Sequence, residues 1–144
     1  MTRLKSVLIS GKTVNAGLLT LRIGIGIMFI LHGWPKLMAG PELWAGLGSQ
    51  MALLGISFGF SFWGFMAAFA ETVGGFLLIA GLLTRPAAFL MFFTMFMATL
   101  THLSNGDGIK GASHALELGI VFLALIFTGP GKLSLDYLLF GRKK

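Results

Sequence analysis

Seven ionisable residues fall inside or at the edges of long apolar runs: Arg22, His32, Lys36, Glu71, His102, His114 and Glu117. A charge in hydrocarbon is costly, so each needs a partner, a change of protonation or a ligand. A helical rise of about 1.5 Å per residue sorts the seven into two layers. Arg22 and Glu71 form one layer, a candidate buried charge pair in which the extended Arg side chain closes the gap in depth. An Arg22 that only snorkels and anchors its helix is the alternative. His32, Lys36, His102, His114 and Glu117 form the other layer, a candidate ligand-binding rim. Imidazole and ammonium groups donate hydrogen bonds and stabilise charge on oxygen, and a carboxylate relays protons. His32, His102, His114 and Glu117 would also suffice as ligands for zinc or iron, but their spacing matches no metal signature, and neither metal nor haem is expected.

The elements that must position these residues are membrane spans. Of the 144 residues, 56% are hydrophobic and 11% charged, far from the mix of a soluble domain. Four stretches, 16–38, 59–83, 86–104 and 113–129, are long enough for a hydrocarbon core of about 30 Å. Residues 41–58 are apolar but interrupted by Glu42, Trp44 and Gln50, which suits a short interfacial helix. The expected fold is therefore an all-α integral membrane protein, one domain over 1–144. It is a four-transmembrane-helix bundle with a short interfacial helix between helices 1 and 2. "GLLTRP" at 81–86 reads as a tight turn and "SNGDGIKGAS" at 104–113 as a polar loop. On the second span Gly64, Ala67, Ala68, Glu71, Gly74 and Gly75 share one side, and small residues let membrane helices approach closely. On the third, Met91, Met95 and Ala98 lead up to His102; such a stripe is bundle core or lipid contact more often than a ligand wall. Pro35 is expected to free the carbonyl of Leu31 and kink the end of the first span.

Eleven Lys and Arg stand against five acidic residues, for a net charge of +6. Arg3, Lys5, Lys12, Arg85, Lys132, Arg142, Lys143 and Lys144 fall on one side of the expected topology, and only Lys36 and Lys110 on the other. The excess of basic residues places both termini in the cytoplasm. The basic charge then serves topology and anionic lipid; no aromatic-basic patch points to nucleic acid. The first run lacks an A-x-A cleavage site and is read as a retained span. The chain has no cysteine, which excludes disulfides, thiolate catalysis and cysteine-held iron–sulfur clusters. Any redox electron must belong to a bound small molecule or a partner protein.

Several pieces in order carry a family resemblance: "LRIGIGIMFILHGWPKL" at 21–37, "ETVGGFLLIAGLLTR" at 71–85, "HLSNG" at 102–106, Glu117, and "GPGKLSLD" at 129–136. Together they resemble the DoxX family of small four-span membrane proteins over about 120 residues. Where the family shows an aromatic after Asn-Gly and a Gly-Gly-Tyr before the fourth-helix Glu, this chain reads "DGIKGASHALE", which introduces Asp107 and His114. The resemblance implies a multi-pass protein of a bacterial or archaeal plasma membrane. It also implies a membrane subunit associated with quinone-linked redox work, an accessory to a membrane oxidoreductase, with a redox partner protein. The leading expectation is a quinone or similar aromatic bound non-covalently within the bundle. The rival is a structural or transport-related bundle that binds a lipid or small hydrophobic solute without redox chemistry.

Overall fold

A computed structural model describes residues 11–141; the basic residues Arg3, Lys5, Arg142, Lys143 and Lys144 lie outside the described residues. Helix α1 spans Gly11–Met38, α2 Pro41–Gly48, a 3-10 segment Ser49–Leu54, α3 Phe60–Ala80, α4 Thr84–Ser104, α5 Gly108–Thr128 and α6 Leu135–Phe140. Helices α1, α3, α4 and α5 are each long and apolar enough to cross a membrane. The four-span bundle and the short helix between its first two spans are thus present. Two helix starts shift by five residues and one short helix is additional. Helix α1 begins five residues earlier and runs through Pro35 to Met38. Helix α5 begins at Gly108, so most of the glycine-rich stretch read as a loop is helical. The short α6 had no span-length signal to announce it.

Helix α3 is the most buried of the four long helices because small residues face a neighbour on each side. Gly26 of α1 and Gly75 of α3 meet reciprocally: a Cβ on either would come within 2.7 Å of the other's carbonyl oxygen. Higher in the same seam, a Cβ on Gly33 would lie 2.7 Å from the Glu71 Cβ. Backbone contact of this kind is how membrane helices associate where no hydrophobic effect drives them together. The packed neighbours are α1 with α3, α2 with α3, α3 with α4, and α4 with α5. Phe29, Leu78, Met91, Met95, Phe122 and Leu125 fill the centre. Phe29 and Phe122 meet edge to face at 5.0 Å between ring centroids.

Helix α2 lies against the first turns of α3. A Cβ on Gly64 would stand 1.8 Å from the Trp44 carbonyl oxygen, and one on Gly48 1.8 Å from that of Phe60. No rotamer change relieves a backbone collision. Gly64→Ala is therefore expected to push α2 off α3 and destabilise the protein toward the upper end of the ~1–3 kcal/mol typical of overpacking. Thermal unfolding in mild detergent, with Gly46→Ala as the control in open space, checks this.

Candidate functional site

Near the midpoint of α3, the Glu71 carboxylate accepts two hydrogen bonds from the Lys36 ammonium, 2.9 Å to Oε1 and 2.8 Å to Oε2. The Glu71 side chain is 5% exposed and that of Lys36 36%. Both are positioned by packing: Gly33 seats α1 against Glu71, and the Trp44 indole N–H donates to the Lys36 carbonyl at 3.0 Å.

The expected Arg22–Glu71 pair does not form. Arg22 is fully buried nearer the end of the bundle where α1 begins. There its guanidinium donates to the Leu78 carbonyl at 3.2 Å and to the Leu133 carbonyl. Counting depth by residue placed Glu71 within reach of an extended Arg side chain. Gly26 packs against Gly75 and Ile79, however, so Arg22 lies level with residues 78–81, two turns from Glu71. Lys36 reaches back along its four-carbon stem and takes the carboxylate instead.

The ion pair stands on the common wall of two cavities. The first, about 470 Å³, lies between the α2/3-10 segment, α3 and α4, with Phe62, Trp63, Met66, Phe93 and Met97 among its walls. The second, about 300 Å³, lies between α1, α4 and α5 and includes Met28, Phe29, His32, Met95 and His114. Lys36, Glu71, Ala98 and His102 line both. Volumes of a few hundred cubic ångströms with apolar walls and few polar groups suit a small organic molecule.

The His102 Nδ1 lies 2.7 Å from Asp107 Oδ2. An ionised carboxylate only accepts, so Nδ1 carries the hydrogen and a neutral His102 keeps Nε2 as an acceptor. His32 Nδ1 donates to the Met28 carbonyl at 2.7 Å, which fixes its ring along α1. Four of the five expected rim residues, His32, Lys36, His102 and His114, thus line the second cavity. Glu117 does not. It is exposed, and it sits about 200° around α5 from the buried Ala115. The alternative set for a metal, His32, His102, His114 and Glu117, is not brought together: no group of three His, Cys, Asp or Glu placed to hold a metal occurs among the described residues.

Three residues of the site escaped the sequence reading. Gln50 and Thr101, which line the first cavity, tie the 3-10 segment to α4 through a 3.2 Å hydrogen bond. Trp63 lines the same cavity. The signal for Gln50 was its polarity in an apolar stretch; for Trp63 there was none.

A four-span bundle with an ion pair in the common wall of two largely apolar cavities defines a small multi-pass membrane protein. The DoxX profile matches residues 17–103, and the chain belongs to the DoxX family. It is 34% identical to the inner membrane protein YqjF of Escherichia coli K12, over 89% of this chain and 95% of that protein. It is 31% identical to the E. coli inner membrane protein YphA over 83% and 87% of the two chains. Identity is also 31% to CatD of Bacillus subtilis 168, provisionally named an oxidoreductase, over 92% and 94%. No solved structure matches the chain.

Proposed function

We propose that the protein binds a quinone or similar aromatic in the first cavity and serves a membrane oxidoreductase as an accessory subunit. The observation that carries this reading is the Lys36–Glu71 pair, a donor and a proton acceptor held side by side against Phe, Trp and Met walls. The donor set fits the ligand: a ring oxygen accepts from Lys36 or a protonated His102, while the Glu71 carboxylate stands beside it as a proton acceptor. Bound there, a quinone supplies the redox couple that this cysteine-free chain has no thiol or iron–sulfur ligand to supply. Lys36 orients the oxygen and offsets charge on it; His102, fixed by Asp107 and partly exposed, lines the same cavity as a proton carrier. CatD, provisionally named an oxidoreductase, is consistent with this assignment. The surrounding membrane is the bacterial inner membrane, with both termini cytoplasmic. Arg85 and Lys132 share the terminal end of the bundle, and Lys36 and Lys110 the opposite end.

The test is titration of a short-chain benzoquinone into nanodisc-embedded protein, read by quenching of tryptophan fluorescence. Saturable quenching is expected, about tenfold weaker in Glu71→Gln and in His102→Ala, as for loss of one hydrogen bond to a charged or polar group. Glu117→Gln should stay within about twofold of wild type, because its carboxylate lines neither cavity. Quenching that rises linearly and equally in all variants would overturn the assignment. A co-purifying lipid that the quinone fails to displace would favour a lipid-binding bundle without redox chemistry.

A further inference from the structure

The second cavity lies where the bundle is least closed. Among the described residues α1 packs closely on α3, and α5 on α4, but the backbones of α1 and α5 make no comparable approach. The Phe29 and Phe122 side chains meet across the seam, and the cavity, with Phe29 in its wall, occupies space between the helices beside them. Its lining runs from Gly24 and Ile25 through Met28 to His32 and Lys36, a length of about 18 Å along α1. Along α1 the lower part of that lining is apolar, Gly24, Ile25, Met28 and Phe29, and the polar His32 and Lys36 follow at the upper end. Gly24 is exposed, and a Cβ there would meet nothing within 4 Å. All four long helices face hydrocarbon, so whatever enters this slot from the side comes from the bilayer.

We infer that the α1–α5 slot binds the hydrocarbon chain of an amphiphile whose oxygen-bearing head lies at Lys36, Glu71 and His102. The identity of the head rests on the function proposed above; the chain site rests on the slot alone. The argument is one of shape and polarity. An elongated apolar space with polar groups at one end matches a chain with an oxygenated terminus, and Lys36, Glu71 and His102, which also line the first cavity, bring the polar end of the slot to the same head-group donors and acceptor. A chain seated there gains dispersion contacts that an empty slot forfeits, and such contacts drive association inside a membrane. The ligand is thus a bilayer-dissolved, chain-bearing molecule. A water-soluble ring would leave the slot unused.

The experiment compares a decyl-substituted benzoquinone with the same ring carrying methyl in place of decyl. Binding is measured in nanodiscs, with concentrations expressed per lipid so that partitioning cancels. The decyl compound is expected to bind about tenfold more tightly in the wild type and in Gly17→Leu, an equally open glycine away from the slot. In Gly24→Leu that advantage should fall below about twofold, with the methyl compound unchanged. Equal affinities in the wild type overturn the inference and leave the proposed function standing. Should neither ring bind, the proposed function fails, and a photoactivatable long-chain alcohol tests the slot on its own. Labelling concentrated on Met28, Met95 and Leu118 and lost in Gly24→Leu supports it. Labelling spread over the exposed Ile27, Ile120 and Phe127 overturns it.

Discussion

Lys36→Met should destabilise the bundle more than Glu71→Gln does, although the two substitutions break the same ion pair. Removing one partner of a buried pair typically costs about 3–5 kcal/mol, because an uncompensated charge remains. The two partners are buried unequally, with Glu71 almost enclosed near the middle of α3 and Lys36 over a third exposed near the end of α1. Without Lys36 the carboxylate has no other charged neighbour within bonding distance among the described residues. Without a carboxylate, the ammonium can swing on its flexible stem toward the interface. The expected loss is thus near the lower end of that range for Lys36→Met and about 1–2 kcal/mol for Glu71→Gln, which keeps hydrogen-bonding capacity. Thermal unfolding in a fixed detergent gives the order. The double variant Lys36→Met/Glu71→Leu should recover most of the loss, since apolar replacement of a buried pair is often neutral. A double variant no more stable than Lys36→Met would show that the pair is not what holds α1 on α3. Ligand binding separates from stability here: the double variant is expected to fold but lacks the Lys36 donor and the Glu71 acceptor.

Span positions, the short intervening helix and the small-residue side of α3 were legible because they depend on composition and helical period alone. Gly64, Gly74 and Gly75 share a side in the sequence and are all buried in the structure. The pairing of charges was not legible, because it depends on register between helices. Gly26 against Gly75 sets that register, and no residue count within a single helix contains it. Lys36 was readable as a rim residue in a layer apart from Glu71, since its Cα lies near the end of α1, yet its long side chain carries the charge back to Glu71. Glu117 failed for a different reason. It lies near the expected depth, but depth does not fix the direction in which a side chain points, and Ala112, Ala115 and Gly119 turn the other side of α5 inward. His102 shows the converse: its position closing α4 was readable, and the structure adds Asp107, a residue that departs from the family pattern, as the group that orients it.

Arg22 is the other residue whose loss should be severe, and its role is to tie helix ends together. The carbonyl of Leu78 belongs to the last turn of α3, where it also accepts from the capping Gly81 N–H at 3.1 Å. Asp136 accepts from the backbone N–H groups of Leu83 and Thr84 at 2.8 and 2.9 Å, which caps the start of α4. The Asp136 N–H in turn donates to the Gly81 carbonyl at 2.8 Å. The turn between α3 and α4 is thereby held by α1 from one side and by the 129–136 segment from the other. Arg22 bonds to both, through Leu78 and Leu133. Hydrogen bonds to charged groups are worth about 1.5–3 kcal/mol each, so Arg22→Met should cost about 3–6 kcal/mol. Arg22→Lys should recover less than half, because a single ammonium nitrogen replaces a planar fork that reaches two carbonyls on different segments. Gly81→Ala should mimic the loss: the residue has φ 66°, and a Cβ would lie 2.0 Å from Arg22 Nη1. The measurement is thermal unfolding combined with limited proteolysis of the 129–136 segment. Arg22 variants should expose that segment to cleavage while Lys36→Met does not. Equal protection in both would mean that Leu133 and Asp136 hold the α3–α4 turn without Arg22.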